Sequence, residues 1–405
     1  MAHMTQRIYL DHAATTPVSA AVLAAMTPYF GSYNPSSLHA EGRAARAAID
    51  GARSAVARCI GAKPREIVFT SGGSEANNLA LIGAARAARA SPGDAAHVVT
   101  VATEHHAVLH AARVLADEGF AVTLLPVDAD GVLHRDVFAA ALRSETVLAA
   151  VMLANNETGT LQPVAELARI ARRRDVRFHT DAVQAPGRLA IDVAELGVDF
   201  LALSAHKCAG PKGVGALYVR GATPLTPIVV GGAQEAGRRA GTEDVAGLVG
   251  FARALTDTTA ELETEPARLR SLRDRFETVC LRRIAQTRVN GAGAARLPNV
   301  SSIAFAGVAA ADLLVRLDLA GIAISSGSAC AAGSPEPSHV VAALQAEPWV
   351  RAGTVRFSFG RSTTGQDVDR VVETLAEIVG AIRVASGYLG KPLSGSPTHS
   401  LEVRF

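Results

Sequence analysis

The chain has 405 residues, about half of them apolar and few of them aromatic, and a net charge of +2 at neutral pH. A chain of that length buries a large core and favours two domains over one. The near-neutral balance gives no electrostatic footprint for nucleic acid or an anionic membrane, and no apolar run reaches the ~20 residues of a membrane span.

The opening Met1-Ala-His-Met4 reads as an expression-tag remnant, and no secretory pattern follows it, so a cytoplasmic setting is expected. The four cysteines, Cys59, Cys208, Cys280 and Cys330, are scattered, with no Cys-x-x-Cys among them. Neither a disulfide framework nor a zinc site is expected, and no metal is called for.

From about residue 65 to 220, β-rich runs alternate with Ala/Arg/Glu-rich helical stretches. The predicted strands are Glu66–Thr70, His97–Ala102, Ala121–Pro126, Thr146–Ala154, Arg177–Thr180, Phe200–Ser204 and Gly215–Arg220. Helical patterns fall at Ser74–Ala88, His106–Glu118, His134–Arg143 and Pro163–Arg173. Such alternation implies an α/β fold with a mostly parallel sheet covered on both faces, and ligands bind outside the carboxyl ends of its strands. A long charged helix is predicted from about Thr256 to Gln286. It leads to strands at Ser301–Phe305, Ile322–Ser325 and Thr354–Phe359 and a final helix near Gln366–Ala385. The Ser/Gly/Pro-rich stretch from Ser386 onward reads as a loose tail.

The strand-end residues carry the chemistry. Lys207, one of only four lysines, ends the apolar run Phe200–Ser204. A charged amine there is costly unless it is neutralised or used. Asp181 ends the neighbouring run. A Lys and an Asp at adjacent parallel strand ends suit a pyridoxal phosphate (PLP) site, with Lys207 as the Schiff-base amine and Asp181 paired to the pyridinium nitrogen. Gln184, three residues on, is in reach of the ring's phenolate oxygen.

Ser71-Gly72-Gly73-Ser74 closes a strand and opens a helix. It is either a Gly-rich turn with a serine cap or an anion cradle of backbone N–H groups, and Ser204 and His206 add donors that favour the cradle. His105, after the strand His97–Ala102, can stack on a planar ring and move protons. Asn155-Asn156 is an Asx-type turn or supplies an amide that orients a ligand. Arg356, alone among apolar neighbours, needs a carboxylate, either a structural partner or a substrate's. Cys330 lies in a Ser/Gly/Ala-rich segment with almost no bulky side chains. A thiol in so mobile a setting, near an electrophilic cofactor, reads as a travelling nucleophile, whereas Cys59, Cys208 and Cys280 read as packing.

Together these motifs resemble the cysteine desulfurases of the class-V aminotransferase group, over about residues 8 to 385. The stations run from Tyr9-Leu-Asp-His-Ala-Ala-Thr-Thr-Pro17 and Asn34-Pro-Ser-Ser-Leu-His39 through the Gly-Gly-Ser-Glu turn, Thr103-Glu-His-His and Asn155-Asn-Glu-Thr-Gly. They continue through Thr180-Asp-Ala-Val-Gln184, Ser204-Ala-His-Lys207, Arg239-Ala-Gly-Thr242 and Ser326-Gly-Ser-Ala-Cys330 to Thr354-Val-Arg-Phe-Ser358. The cysteine segment, followed by Pro-Ser-His-Val, is similar to the branch with a long mobile loop.

The resemblance implies PLP fold type I, with a large domain built on a seven-stranded, mostly parallel sheet and a smaller α+β domain. It divides the chain into a segment 1–15 joining the small domain, a PLP-binding domain 16–255, a small domain 256–385 and a tail 386–405. It implies that Lys207, Cys330 and His105 are catalytic. Gly73, Ser74, His105, Asp181, Gln184, Ser204 and His206 then hold PLP, and Asn156 and Arg356 bind the substrate carboxylate. Thr242 is expected to reach the phosphate of a second copy, which implies a homodimer. The implied reaction takes L-cysteine to alanine and leaves a persulfide on Cys330 for a sulfur-acceptor protein, such as an iron–sulfur scaffold or a carrier. A selenocysteine or cysteine-sulfinate lyase is the alternative on the same scaffold. Relatives often have Thr at position 74 and an aromatic residue at 208. Ser74 keeps the hydroxyl, and Cys208 reads as packing.

Overall fold

The computed structural model describes residues 7–89, 91, 94–326 and 338–388. In chain order its strands are β1 (Ile8–Tyr9), β2 (Ile67–Thr70), β3 (His97–Val101), β4 (Ala121–Leu125), β5 (Thr146–Ala150) and β6 (Arg177–Asp181). They continue with β7 (Phe200–Ser204), β8 (Gly215–Val219), β9 (Thr287–Val289), β10 (Val300–Phe305), β11 (Ile322–Ala323) and β12 (Thr354–Ser358).

Seven of them form one sheet in the order β2-β8-β7-β6-β5-β3-β4. The pairs from β7 through β4 are parallel, while β8 runs antiparallel to both β7 and β2. Every residue of β2, β3, β7 and β8 is buried, which is why these runs are continuously apolar rather than alternating. The pleat divides them between two cores. Leu201 and Leu203 pack with Ile49, Phe138, Phe178 and Phe251 on one face, and Phe200 and Ala202 pack with Leu81, Val108 and Leu148 on the other. The expected α/β architecture and its seven-stranded, mostly parallel sheet are thus observed.

A second, antiparallel sheet has the order β12-β10-β9, and β11 pairs in parallel with β1. Phe276, Phe305, Phe357 and Phe359 fill its core together with Leu10 from the segment after β1. Helices Glu265–Arg283 and Gly365–Ala385 contribute Leu269, Val372 and Leu375 to the same core.

Two helical predictions are corrected. The single helix expected over Thr256–Gln286 is two, Val245–Ala260 and Glu265–Arg283. Pro266 sits in the first turn of the second helix, where its missing N–H is harmless. Inside one continuous helix its ring would clash with the carbonyl of residue 262. The stretch expected as one helix over Ser74–Ala88 is interrupted by a π-helical segment, Leu79–Gly83, between Gly73–Asn78 and Ala84–Ala88. Gly83 there lies so close to the next layer that a Cβ would stand 2.5 Å from the Thr226 carbonyl oxygen.

Helix Ala40–Cys59 buries Gly42, Ala45, Ile49, Ala52 and Val56, a stripe at three- and four-residue spacing. From it, Arg53 forks onto Glu235 with two contacts of 2.6 Å, and the same carboxylate accepts the Phe69 N–H at 2.8 Å. This nearly buried pair anchors β2, the strand that delivers the glycine turn. Arg53→Met leaves Glu235 buried without its counter-charge. Loss of about 3 kcal/mol is expected, read as a lower urea midpoint at unchanged slope.

Candidate active site

Parallel pairing sets the carboxyl ends of β3, β5, β6 and β7 along one sheet edge. A cavity of about 250 Å³ opens there. Gly73, Ser74, His105, Asn156, Asp181, Gln184, Ser204, His206, Lys207 and Arg356 all line it. The structure therefore brings together ten of the twelve residues singled out in the sequence. Thr242 is exposed and lies outside the lining. Cys330 falls outside the described residues.

At one end stands the glycine turn. Gly72 has φ 152° and ψ −174°, a conformation open to glycine alone. A Cβ on Gly73 would approach Val183 Cγ2 to 2.7 Å. The turn, Ser74 and Ser204 line an outer recess together with Thr15, Glu75, His206 and Lys212. Burial, then the charges of Lys207 and Lys212, push the His206 imidazole down to about 4, so it is neutral at pH 7. Its Nδ1 lies 3.2 Å from Thr15 Oγ1. Glu75 accepts the Ser71 N–H at 2.7 Å and is held by Arg239 at 2.9 Å. That ion pair brings the Arg239–Thr242 stretch beside the turn. Lys212, beside Pro211 and Gly213 in the chain, lines the same recess.

Across the cavity, Lys207 Nζ donates to the carbonyls of Ala13 at 2.8 Å and Ala14 at 2.7 Å. Gln184 Nε2 donates to the same Ala13 carbonyl at 3.0 Å, and its Oε1 has no hydrogen-bond partner among the described residues. Asp181 accepts from Asn77 Nδ2 at 2.7 Å and from the Val183 N–H at 2.9 Å. His105 caps helix His106–Asp117 by accepting the Ala107 N–H on Nδ1 at 3.1 Å. The proton of its neutral ring therefore sits on Nε2. Burial pushes this imidazole down; the Asp181 charge opposes the shift and Lys207 reinforces it. Beneath it, burial and then the Asp181 charge push the Glu104 carboxyl well up, favouring its protonated form.

At the far end, Arg356 is almost wholly buried. It donates to Asp11 Oδ1 and to the Asn156 carbonyl, each at 2.8 Å. The two asparagines are placed differently. The Asn155 side chain makes the Asx turn, accepting the N–H groups of Glu157 and Thr158, while Asn156 lines the cavity. Glu157 and His339, also in the lining, fall within motifs that carry the family resemblance but have no role assigned there. Glu157 accepts from Ser338 Oγ, and His339 Nε2 donates to the Glu104 carbonyl at 2.8 Å. Ser325 pairs with the Arg356 backbone through bonds of 3.2 and 2.7 Å. The two stretches that flank residues 327–337 are thus fastened at the cavity.

Two of the other thiols fit packing roles. Burial raises the Cys208 thiol to about 12 and raises Cys280 as well, and the Cys208 Sγ donates to the Ala205 carbonyl at 3.2 Å. Cys59 is half-buried.

Residues 8–371 match the class-V aminotransferase profile. The chain belongs to that family, whose members are PLP-dependent enzymes. It is 45% identical over 389 residues to the cysteine desulfurase IscS of Dictyoglomus turgidum, covering 95% of this chain and 98% of that protein. A NifS-like protein of known structure superposes with a TM-score of 0.87 at 32% identity, over 93% of this chain and all of that one. The structure of SspA in complex with cysteine gives a TM-score of 0.76 at 36% identity, over 87% of this chain and 98% of that one. No helix among the described residues of this class-V member is long and apolar enough to cross a membrane.

His12, beside the cavity wall, offers a pH test of the site's burial. Both its ring nitrogens are buried and without a hydrogen-bond partner among the described residues, and burial, then Arg188, pushes the imidazole down to about 4. The unfolded chain therefore binds a proton near pH 6.5 that the folded protein refuses. This contribution to stability is present above that pH and is lost as pH falls toward 4, at no more than about 1.4 kcal/mol per pH unit. Urea unfolding between pH 7.5 and 4 is expected to give a shallower stability slope for His12→Phe than for wild type, whatever the offset at neutral pH.

Proposed function

We propose that this protein is a PLP-dependent cysteine desulfurase, which converts L-cysteine to L-alanine and stores the sulfur as a persulfide on Cys330. The observation that carries this reading is the convergence of Lys207, Asp181 and Arg356 on one cavity to which both flanks of the Cys330 segment are fastened.

The residues present fit the cofactor. Gln184 Oε1 is a buried acceptor at the cavity without a hydrogen-bond partner among the described residues, and the cofactor's ring oxygen would donate to it in its phenol form. Val183 fills the side-chain space at Gly73, and the glycine turn shares the recess that would take a phosphate with Ser74, Ser204, His206 and Lys212, so backbone N–H groups and hydroxyls are available there as donors. When bound, PLP supplies an electron-withdrawing ring that acidifies the substrate's α-proton and weakens its Cβ–S bond.

The chain's own groups do the rest. Lys207, whose Nζ now donates to the Ala13 and Ala14 carbonyls, would provide the attaching amine and, once the substrate's own amine had displaced it, would be free to hold the α-proton. Asp181 would pair with the ring nitrogen and favour its protonated form. His105, with its proton fixed on Nε2 by the cap at Nδ1, would support the ring and serve in proton transfer beside it. Arg356 and Asn156 orient the amino acid by its carboxylate. The Cys330 thiolate attacks the substrate sulfur. An S–S bond forms, the Cβ–S bond breaks with its electron pair left on carbon, and that carbon takes a proton, so alanine leaves. Cys330 is four residues along the chain from Ser326. The persulfide then passes to an acceptor protein. Thr242 is exposed and outside the lining of its own cavity, and we infer a homodimer in which it serves the second copy's phosphate site.

Cys330→Ala is expected to keep the yellow absorption of the bound cofactor and to lose about a hundredfold or more of alanine formation from cysteine. Full turnover in that variant would refute the attack by Cys330 and favour a lyase that needs no thiol.

A further inference from the structure

We propose that Asn77, oriented by His179, is a positioning residue that fixes the carboxylate plane of Asp181 against the cofactor ring. The inference rests on the PLP reading above and adds a layer behind it.

The three side chains form a buried line. Asn77 is 1% exposed, His179 is fully buried and Asp181 is 7% exposed. Asn77 Nδ2 lies 2.7 Å from Asp181 Oδ2, and Asn77 Oδ1 lies 2.8 Å from His179 Nε2. A carboxylate only accepts, so Asn77 must turn its NH₂ toward Asp181. Its oxygen then faces His179, whose Nε2 must carry a proton. His179 is neutral, because burial pushes it down to about 3, so its single N–H is committed to Nε2. Flipping the Asn77 amide would set oxygen against carboxylate and NH₂ against N–H. The imidazole therefore locks the amide, and the amide locks Asp181 Oδ2.

The Val183 N–H takes the other oxygen at 2.9 Å. With one donor on each oxygen, the carboxylate cannot turn about its own axis. Its remaining lone pairs are presented to the cavity before any ring arrives. Such preorganisation removes a reorganisation cost at the moment of reaction. Asn77 comes from the helix that follows the glycine turn and His179 from the middle of β6. The lock therefore also ties the phosphate end of the site to the ring end.

The test uses the full-length holoenzyme, reconstituted with PLP carrying an isotope label at its ring nitrogen. NMR of that nitrogen reports its protonation as a function of pH, and dialysis reports cofactor retention. Asn77→Leu is expected to shift the ring nitrogen's deprotonation downward by about one pH unit or more and to speed cofactor loss about tenfold. Gln at position 179 can still donate to the amide, so His179→Gln should behave as wild type, whereas His179→Leu should move toward Asn77→Leu. A merely structural role would lower stability in both position-179 variants without moving the nitrogen titration. Wild-type titration and retention in Asn77→Leu would overturn the inference alone. A wild-type protein that takes up no PLP would overturn the functional reading together with it.

Discussion

An amine at the end of a strand whose every residue is buried must find acceptors. Lys207 finds them in two carbonyls from a segment nearly two hundred positions away, those of Ala13 and Ala14. That segment is the keystone of the site. Ala13 also takes the Gln184 amide, Thr15 contacts His206, and Asp11 takes Arg356. Just before it, β1 pairs with β11, and the Ala13 N–H is held by Ser358 Oγ from β12 at 2.9 Å. One short stretch therefore couples the main sheet, which carries Lys207 and Asp181, to the second sheet, which carries Arg356. Distances across the cavity depend on that coupling more than on either sheet alone.

The electrostatics follow from the same burial. The imidazoles of His12, His105, His179 and His206 are all pushed down, and the carboxyls of Glu104 and Glu157 are pushed up. Most titratable groups around the cavity are thereby steered toward neutral forms at pH 7. Against that background, Lys207 donates to two carbonyls, Asp181 accepts from two N–H donors and Arg356 pairs with Asp11. A cofactor with a cationic ring edge and an amino acid with an anionic end would meet complementary charge at both places, inside walls that otherwise offer little competing field.

Much of this was legible in the sequence. The strands of the main sheet were placed to within a few residues, because buried parallel strands are continuous apolar runs bounded by polar ends. Lys207 and Asp181 stood out as polar residues at the ends of such runs, and Gly72-Gly73 as a turn between strand and helix. What escaped notice had long-range causes. Asn77 looks like any polar helix residue until His179 and Asp181 are set beside it. Glu157 and His339 gain meaning only when Ser338 and Glu104 close on them. The break before Pro266 was readable, since proline marks a helix's first turn, and it was masked by the charged pattern on either side. The π-helical segment at Leu79–Gly83 has no sequence signature that periodicity detects.

The most direct test of the central claim is chemical. The purified protein is loaded with PLP, reduced with borohydride, digested and mapped by mass spectrometry. A phosphopyridoxyl group is predicted on the peptide bearing Lys207, at one per chain, and is predicted to be absent from the other three lysines. A label on another lysine, or none after demonstrable cofactor uptake, would contradict the account.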